Sequence, residues 1–194
     1  MEQKPTQPSA FRQTNAFAMN YALPFGALWI AGLMCFVHSL QLPLLQLVFM
    51  AIFVSTPVWG YVLLCRFRDR VCGGVINFTR SYLFSLLVYF YASLLLAAAC
   101  YVWFQFFDHG AFIDGYLSML DSPEVRAAFK EQSVKQMTGG TGLEEMRAVL
   151  QQMQMASPVA YAANILDLNI FLGLVLSLPA SLLAARRTAK NKLQ

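Results

Sequence analysis

Four long apolar stretches, at about residues 16–37, 42–65, 81–107 and 159–185, constrain this chain more than any other feature. Each is long enough to cross a hydrocarbon core, which takes about 20 helical residues. With no water in that solvent, backbone N–H and C=O groups must bond within the segment, so such runs are read as helices. Composition agrees: 58% of the residues are hydrophobic and 12% are charged, against about 25% charged in a soluble domain. The predicted fold class is an all-α integral membrane protein. It has four transmembrane helices, with an extracytoplasmic helical hairpin between the third and the fourth. A cleaved signal peptide is the alternative for the first run. Its apolar core would be shorter, and no small-residue cleavage site follows.

The basic residues orient the chain. Lys4 and Arg12 precede the first run; Arg66, Arg68, Arg70 and Arg80 separate the second from the third; Arg186, Arg187, Lys190 and Lys192 follow the fourth. All three places fall on one side of a four-span chain. Cytoplasmic loops carry the excess of Lys and Arg, so that side is cytoplasmic and both termini lie inside. The arginines thus read as topology anchors, with binding of phosphate or anionic lipid as a secondary role. A net charge of +4 would otherwise suggest nucleic acid. Here the charges flank apolar runs and form no broad basic face, so nucleic acid is not an expected partner.

The expected organisation is a disordered cytoplasmic tail at 1–15, three spans at 16–107 with a basic loop at 66–80, an external segment at 108–158, and the last span with a basic tail at 159–194. Within the external segment, Ser122 and Pro123 open a helix as N-cap and first residue, and Thr138-Gly139-Gly140 closes it. Thr141 to Glu144 reads as the capping box of a second helix, on which Leu143, Met146, Val149, Leu150 and Met153 recur at helical spacing. Packing onto the bundle or the headgroups is expected for its greasy side. Pro24, Pro57 and Pro179 interrupt spans and are candidates for kinks.

Few residues offer chemistry. TGGTG at 138–142 lacks the strand and the Gly-Lys-Ser/Thr ending of a phosphate loop, and Glu144 and Glu145 would repel an anion. Asp167, flanked by Asn164 and Asn169, is the acidic residue well inside a predicted span. Such a group should face the bundle interior or water. Counting from Arg186 sets it about 28 Å away, near the outer interface. His38 and His109 fall on the same outer side, with Asp108. Two imidazoles and two carboxylates could bind a divalent ion, but no ligand spacing supports it, and interface-seeking polar side chains account for them. No cofactor is expected. Cys35, Cys65, Cys72 and Cys100 contain no C-x-x-C and read as buried or reduced thiols. Small-residue patches at Ala97-Ala98-Ala99, Gly173 with Ser177, and Ala180-Ser181 permit close helix contact. They suit a membrane protein partner or a homo-oligomer. These features favour a non-enzymatic accessory or scaffolding subunit, with a small-solute or ion transporter using Asp167 as the alternative.

Several stretches carry a family resemblance. The run RDRVCGGVINF at 68–78 resembles the Arg-Asp-x-x-x-Gly-Gly-x-Ile-x-Phe signature of domain of unknown function 4199, a bacterial membrane family. FDHG at 107–110, Ser157-Pro158, and Asn169 followed by Gly173 and a terminal Arg-Arg are similar to it as well. The resemblance implies a four-span inner-membrane protein with an external segment before its last span. It brings no activity, substrate or catalytic residue. By association alone it suggests a polyprenyl-phosphate glycosyltransferase as a partner.

Cysteine-accessibility labelling tests the orientation. With single cysteines at Gln3, Gly140 and Asn191, a membrane-impermeant reagent applied to intact cells should modify the Gly140 site alone. Modification at either terminus would overturn the topology.

Overall fold

The computed structural model describes residues 10–128 and 142–185. Within them lie α1 (Ala10–Val37), α2 (Leu44–Arg70), α3 (Phe78–Phe106), α4 (Ala111–Leu120), α5 (Pro123–Ala128), α6 (Leu143–Gln154) and α7 (Pro158–Ala184). The four long ones, α1, α2, α3 and α7, are each long and apolar enough to cross a membrane. The four-span, all-helical architecture therefore stands as the apolar runs imply.

Helix ends differ from the hydrophobic limits. Residues 10–15, expected to be tail, form the first turns of α1, where the Thr14 hydroxyl donates to the Ala10 carbonyl at 2.7 Å. Arg66, Arg68 and Arg70, expected in a loop, lie on the last turns of α2. Arginine is a good helix former, and a positive charge is favourable at a helix C-terminus. The true loop is 71–77. Gly73 and Gly74 turn the chain with φ of +64° and +84°, and the Gly74 N–H satisfies the Arg68 carbonyl at 2.9 Å. Asn77 then caps α3 by accepting the Arg80 N–H at 2.9 Å. Pro24, Pro57 and Pro179 all sit inside continuous helices.

The helix α3 is the axis of the bundle, with α1 and α7 as its principal neighbours. Its central residue is Tyr89, which is 2% exposed. The ring meets Phe25 and Trp29 of α1 at centroid distances of 5.4 and 5.9 Å. Its hydroxyl donates to the Thr56 carbonyl of α2 at 3.5 Å. On its far side it fills the space above Gly173, where an added Cβ would lie 2.7 Å from the Tyr89 Cβ. One side chain thus touches the three other spans.

Below Tyr89, α7 approaches α3 along Gly173, Ser177, Ser181 and Ala184, all buried. Ser177 donates to Ser85 at 3.0 Å across the seam. Small residues let the two backbones draw close, and paired hydroxyls add polar glue. The patches at Gly173, Ser177 and Ser181, expected to serve a partner, are therefore occupied within the chain. Nearer the C-terminal end of α2, Phe67 stacks on Phe84 of α3 with centroids 4.0 Å apart.

The segment between α3 and α7 holds one helix the sequence reading left unassigned, α4, whose Ile113 and Leu120 are buried. It is α4 that packs against α6, tied by Gln154 donating to Asp114 at 2.7 Å. The helix expected at Ser122 begins there as α5, with Ser122 Oγ accepting the Val125 N–H at 3.3 Å. Its expected end at Thr138–Gly140 lies outside the described residues. The cap of α6 is shifted by one position. Gly142 precedes the helix with φ −78° and ψ 162°, and Glu145, in place of Glu144, accepts its N–H at 3.2 Å.

Gly173→Leu should destabilise the folded bundle by about 1–3 kcal/mol, the usual cost of overpacking. Thermal unfolding in detergent micelles measures it, and Gly173→Leu with Tyr89→Ala should recover part of the loss. An unchanged midpoint in Gly173→Leu would show that α7 does not meet α3 there.

Candidate functional site

Near the C-terminal end of α2, the side chain of Arg68 is inside the protein, only 5% exposed. It forms a two-pronged pair with Asp69, Nε to Oδ1 at 2.7 Å and Nη2 to Oδ2 at 3.0 Å. Its Nη1 donates to the Ala184 carbonyl at 3.3 Å. A buried guanidinium is costly unless paired and hydrogen-bonded, and here it also satisfies one of the carbonyls that end α7. Arg80 is half-buried. It donates from Nε to Thr14 at 3.1 Å and from Nη2 to Gln13 at 2.7 Å, with its cation 5.6 Å from the Phe67 ring centre. Two of the expected anchors are therefore latches between spans. Arg66 and Arg70 are exposed, and Arg186 and Arg187 lie outside the described residues.

At the opposite end of the bundle, a cavity of about 280 Å³ opens between the ends of α3, α4, α6 and α7. Asp108, His109, Gln154 and Tyr161 line it with Phe104. Asp108 is 7% exposed, and its two oxygens accept the N–H groups of Gly110 and Phe112, each at 3.1 Å. The carboxylate thereby caps α4, which a residue at this place in FDHG is built to do. His109 takes a left-handed backbone with φ 47°, a conformation in which His is enriched among non-glycine residues. The Tyr161 phenol donates to the Met153 carbonyl, and its ring stacks on Phe104 with centroids 4.8 Å apart. The polar groups of this cavity are largely engaged in holding α4, α6 and α7 together.

The four candidate metal-binding residues are not brought together. His38 stands apart from the cavity, with Nδ1 2.9 Å from the Met34 carbonyl and its ring against Trp103. Among the described residues, no group of three or more His, Cys, Asp or Glu side chains is placed to hold an ion.

Asp167 is where the structure departs most from expectation. It does not face the bundle interior: Asp167 and Asn164 are both exposed on α7, while Asn169 is half-buried and donates to the Ile165 carbonyl at 2.7 Å. The reason is steric. The inward stripe of α7 must be glycine, serine and alanine to let α3 approach, so a carboxylate has no place on it. Depth also differs. Ser85 opposite Ser177 and Tyr89 opposite Gly173 define a register that sets Asp167 level with Leu95, midway along α3. Asp167 lies about 9 Å along α7 from Tyr161, toward the Ser177 end.

Three contributors were not singled out from the sequence: Tyr89, Gln154 and Tyr161. Tyr89 had an indirect signal in Gly60 and Gly173, since a Cβ at either would strike it. Gln154 and Tyr161 carried none, because their roles depend on where α4 packs.

A family model described as "Protein of unknown function (DUF4199)" matches residues 20–186. No curated protein and no solved structure is matched by the chain.

Cys72, in the loop below α2, offers a pH-dependent probe of the Arg80 latch. Burial pushes its thiol up, and the nearby Arg80 guanidinium partly offsets this. The thiolate is the reactive form, so alkylation of a Cys72-only variant should be slow near neutrality and keep rising past the ordinary thiol value of about 8.5. Removing the positive charge with Arg80→Gln should raise the pKa further and slow alkylation several-fold at a fixed pH below it. Faster reaction in Arg80→Gln would show that the arginine does not act on this thiol.

Proposed function

The chain belongs to the DUF4199 family, and on that premise we propose that it is a non-enzymatic membrane subunit that works by packing against another membrane protein. One observation carries the proposal: Asn164 and Asp167, two polar residues of α7, are exposed on the outside of the bundle. A carboxylate in this position is costly against lipid, up to about 3 kcal/mol at mid-membrane on insertion scales. A protein partner relieves that cost. A transporter needs the opposite arrangement, with polar groups converging between its own helices near the midplane. In the described part of this bundle, the α3–α7 seam is closed by Gly173 under Tyr89 and by the Ser85–Ser177 hydrogen bond. The Asp108 cavity lies at the ends of α3 and α7, away from their centres. The orientation read from the basic residues, with both termini cytoplasmic in a bacterial inner membrane, belongs to the same proposal. A polyprenyl-phosphate glycosyltransferase is a candidate partner through the family association alone.

Purification in gentle detergent from native membranes, with mass spectrometry of co-eluting proteins, tests the reading. A stoichiometric membrane protein should co-elute, and Asp167→Ala should weaken its retention by about tenfold if one hydrogen-bonded charge is lost. Solute flux in liposomes that is abolished by Asp167→Asn would defeat the reading and establish transport.

A further inference from the structure

The hydrogen bonds in the wall of the Asp108 cavity use donors and leave acceptors. The O–H of Tyr161 goes to the Met153 carbonyl, and the Gln154 amide nitrogen donates to Asp114. The oxygens of both side chains keep their capacity to accept. Each oxygen of Asp108 takes one N–H, from Gly110 or from Phe112, whereas a carboxylate offers about four acceptor positions. Charge points the same way. Among the described residues, no lysine or arginine lines the cavity, and a second carboxylate, Asp114, stands behind Gln154 at 2.7 Å. Arg147, on the same helix as Gln154, is paired with Asp121 instead. His109 lines the cavity as an exposed residue. The rest of the wall is largely apolar, with Ile113, Ala156 and the stacked rings of Phe104 and Tyr161.

We propose that this cavity binds a primary ammonium group, seated on the Asp108 carboxylate with its carbon chain against the Phe104 and Tyr161 rings. Size and geometry select that class. At about 280 Å³ the cavity is at the lower limit of small-molecule pockets, which begin at about 300 Å³. It is far larger than a bare ion needs, and among the described residues no three ionisable side chains converge to hold one. A guanidinium matches a carboxylate through a flat two-pronged contact, but both Asp108 oxygens are already turned to the N–H groups that start α4. An ammonium presents three separate N–H donors. Acceptors reach it from three places: Asp108 before α4, Gln154 at the end of α6 and Tyr161 in α7. The two rings add cation–π attraction for a charge within about 6 Å. A quaternary ammonium would gain the rings but bring no N–H to the acceptors. One chemistry has two sources here, a phosphatidylethanolamine headgroup or a soluble amine. The site uses neither Asn164 nor Asp167, so its fate is separate from that of the subunit reading.

The test titrates the full chain in dodecylmaltoside with ethanolamine, choline, and the dihexanoyl forms of phosphatidylethanolamine and phosphatidylcholine, at constant ionic strength. A ligand that binds the folded state raises the thermal midpoint, and the dependence on concentration gives an apparent affinity. Each primary amine should bind at least about tenfold more tightly than its trimethylated counterpart, the loss expected when hydrogen bonds to a charged group are not made. Asp108→Asn should weaken amine binding by a similar factor. Because Asp108 also caps α4, two variants that leave the cap intact separate binding from folding. Ala156→Leu fills the cavity and should abolish amine binding. Gln105→Lys, at an exposed lining position, places a competing ammonium beside the site and should weaken it severalfold. Tighter binding of the phosphatidylethanolamine than of ethanolamine upholds the site and makes the ligand a lipid. Equal binding upholds it and makes the ligand a soluble amine. No stabilisation by either amine, equal affinity for the trimethylated compounds, or amine binding unchanged in Ala156→Leu and Gln105→Lys would overturn the proposal.

Discussion

The bundle depends on close approach at Tyr89. An aromatic ring of that size can sit at the centre of four spans only where its neighbours have almost no side chain, and Gly60 and Gly173 provide that space from opposite directions. The phenolic oxygen then needs an acceptor, because a buried hydroxyl without one is penalised. The Thr56 carbonyl supplies it, next to Pro57, in a stretch where Ser55 and Thr56 both turn back to the Ile52 carbonyl. Glycine, proline and hydroxyl residues in α2 thus form one local solution to placing a tyrosine in a non-aqueous core.

Hydrophobic length made the four spans legible, because only a helix satisfies its backbone across that distance. The ends were less so. An arginine reads as a boundary in a hydropathy pattern, yet Arg66 to Arg70 continue α2, since their long stems suit a helix and their charge suits its C-terminus. The burial of Arg68 could not be read from local sequence, because its partner Ala184 is 116 positions away. The glycine pair after it was legible as a break. The segment between α3 and α7 was legible in its caps at Ser122 and near Gly142, but α4 was missed. Its apolar residues merge with the end of the third apolar run, and Asp108, which separates the two by capping α4, resembled a candidate ligand.

Asp167 shows the limit of a one-dimensional reading. Its type and approximate depth follow from position, but its facing does not. The facing is set by which stripe of α7 is narrow enough to meet α3, and that depends on Tyr89 and Ser85 on another helix. A residue rule that expects intramembrane charge to point inward treats the bundle as complete. Here the inward stripe was already assigned to small residues, so the exception marks a surface.

The Arg68 clamp has a consequence for how the chain is made. Its partner carbonyl belongs to α7, which is synthesised only after α1, α2, α3 and the segment that follows them. Until then Ser85 lacks its Ser177 partner, and Arg68 can hold Asp69 but not α7. The contacts that tie α2 and α3 to α7 can therefore form only once the fourth long helix has been made.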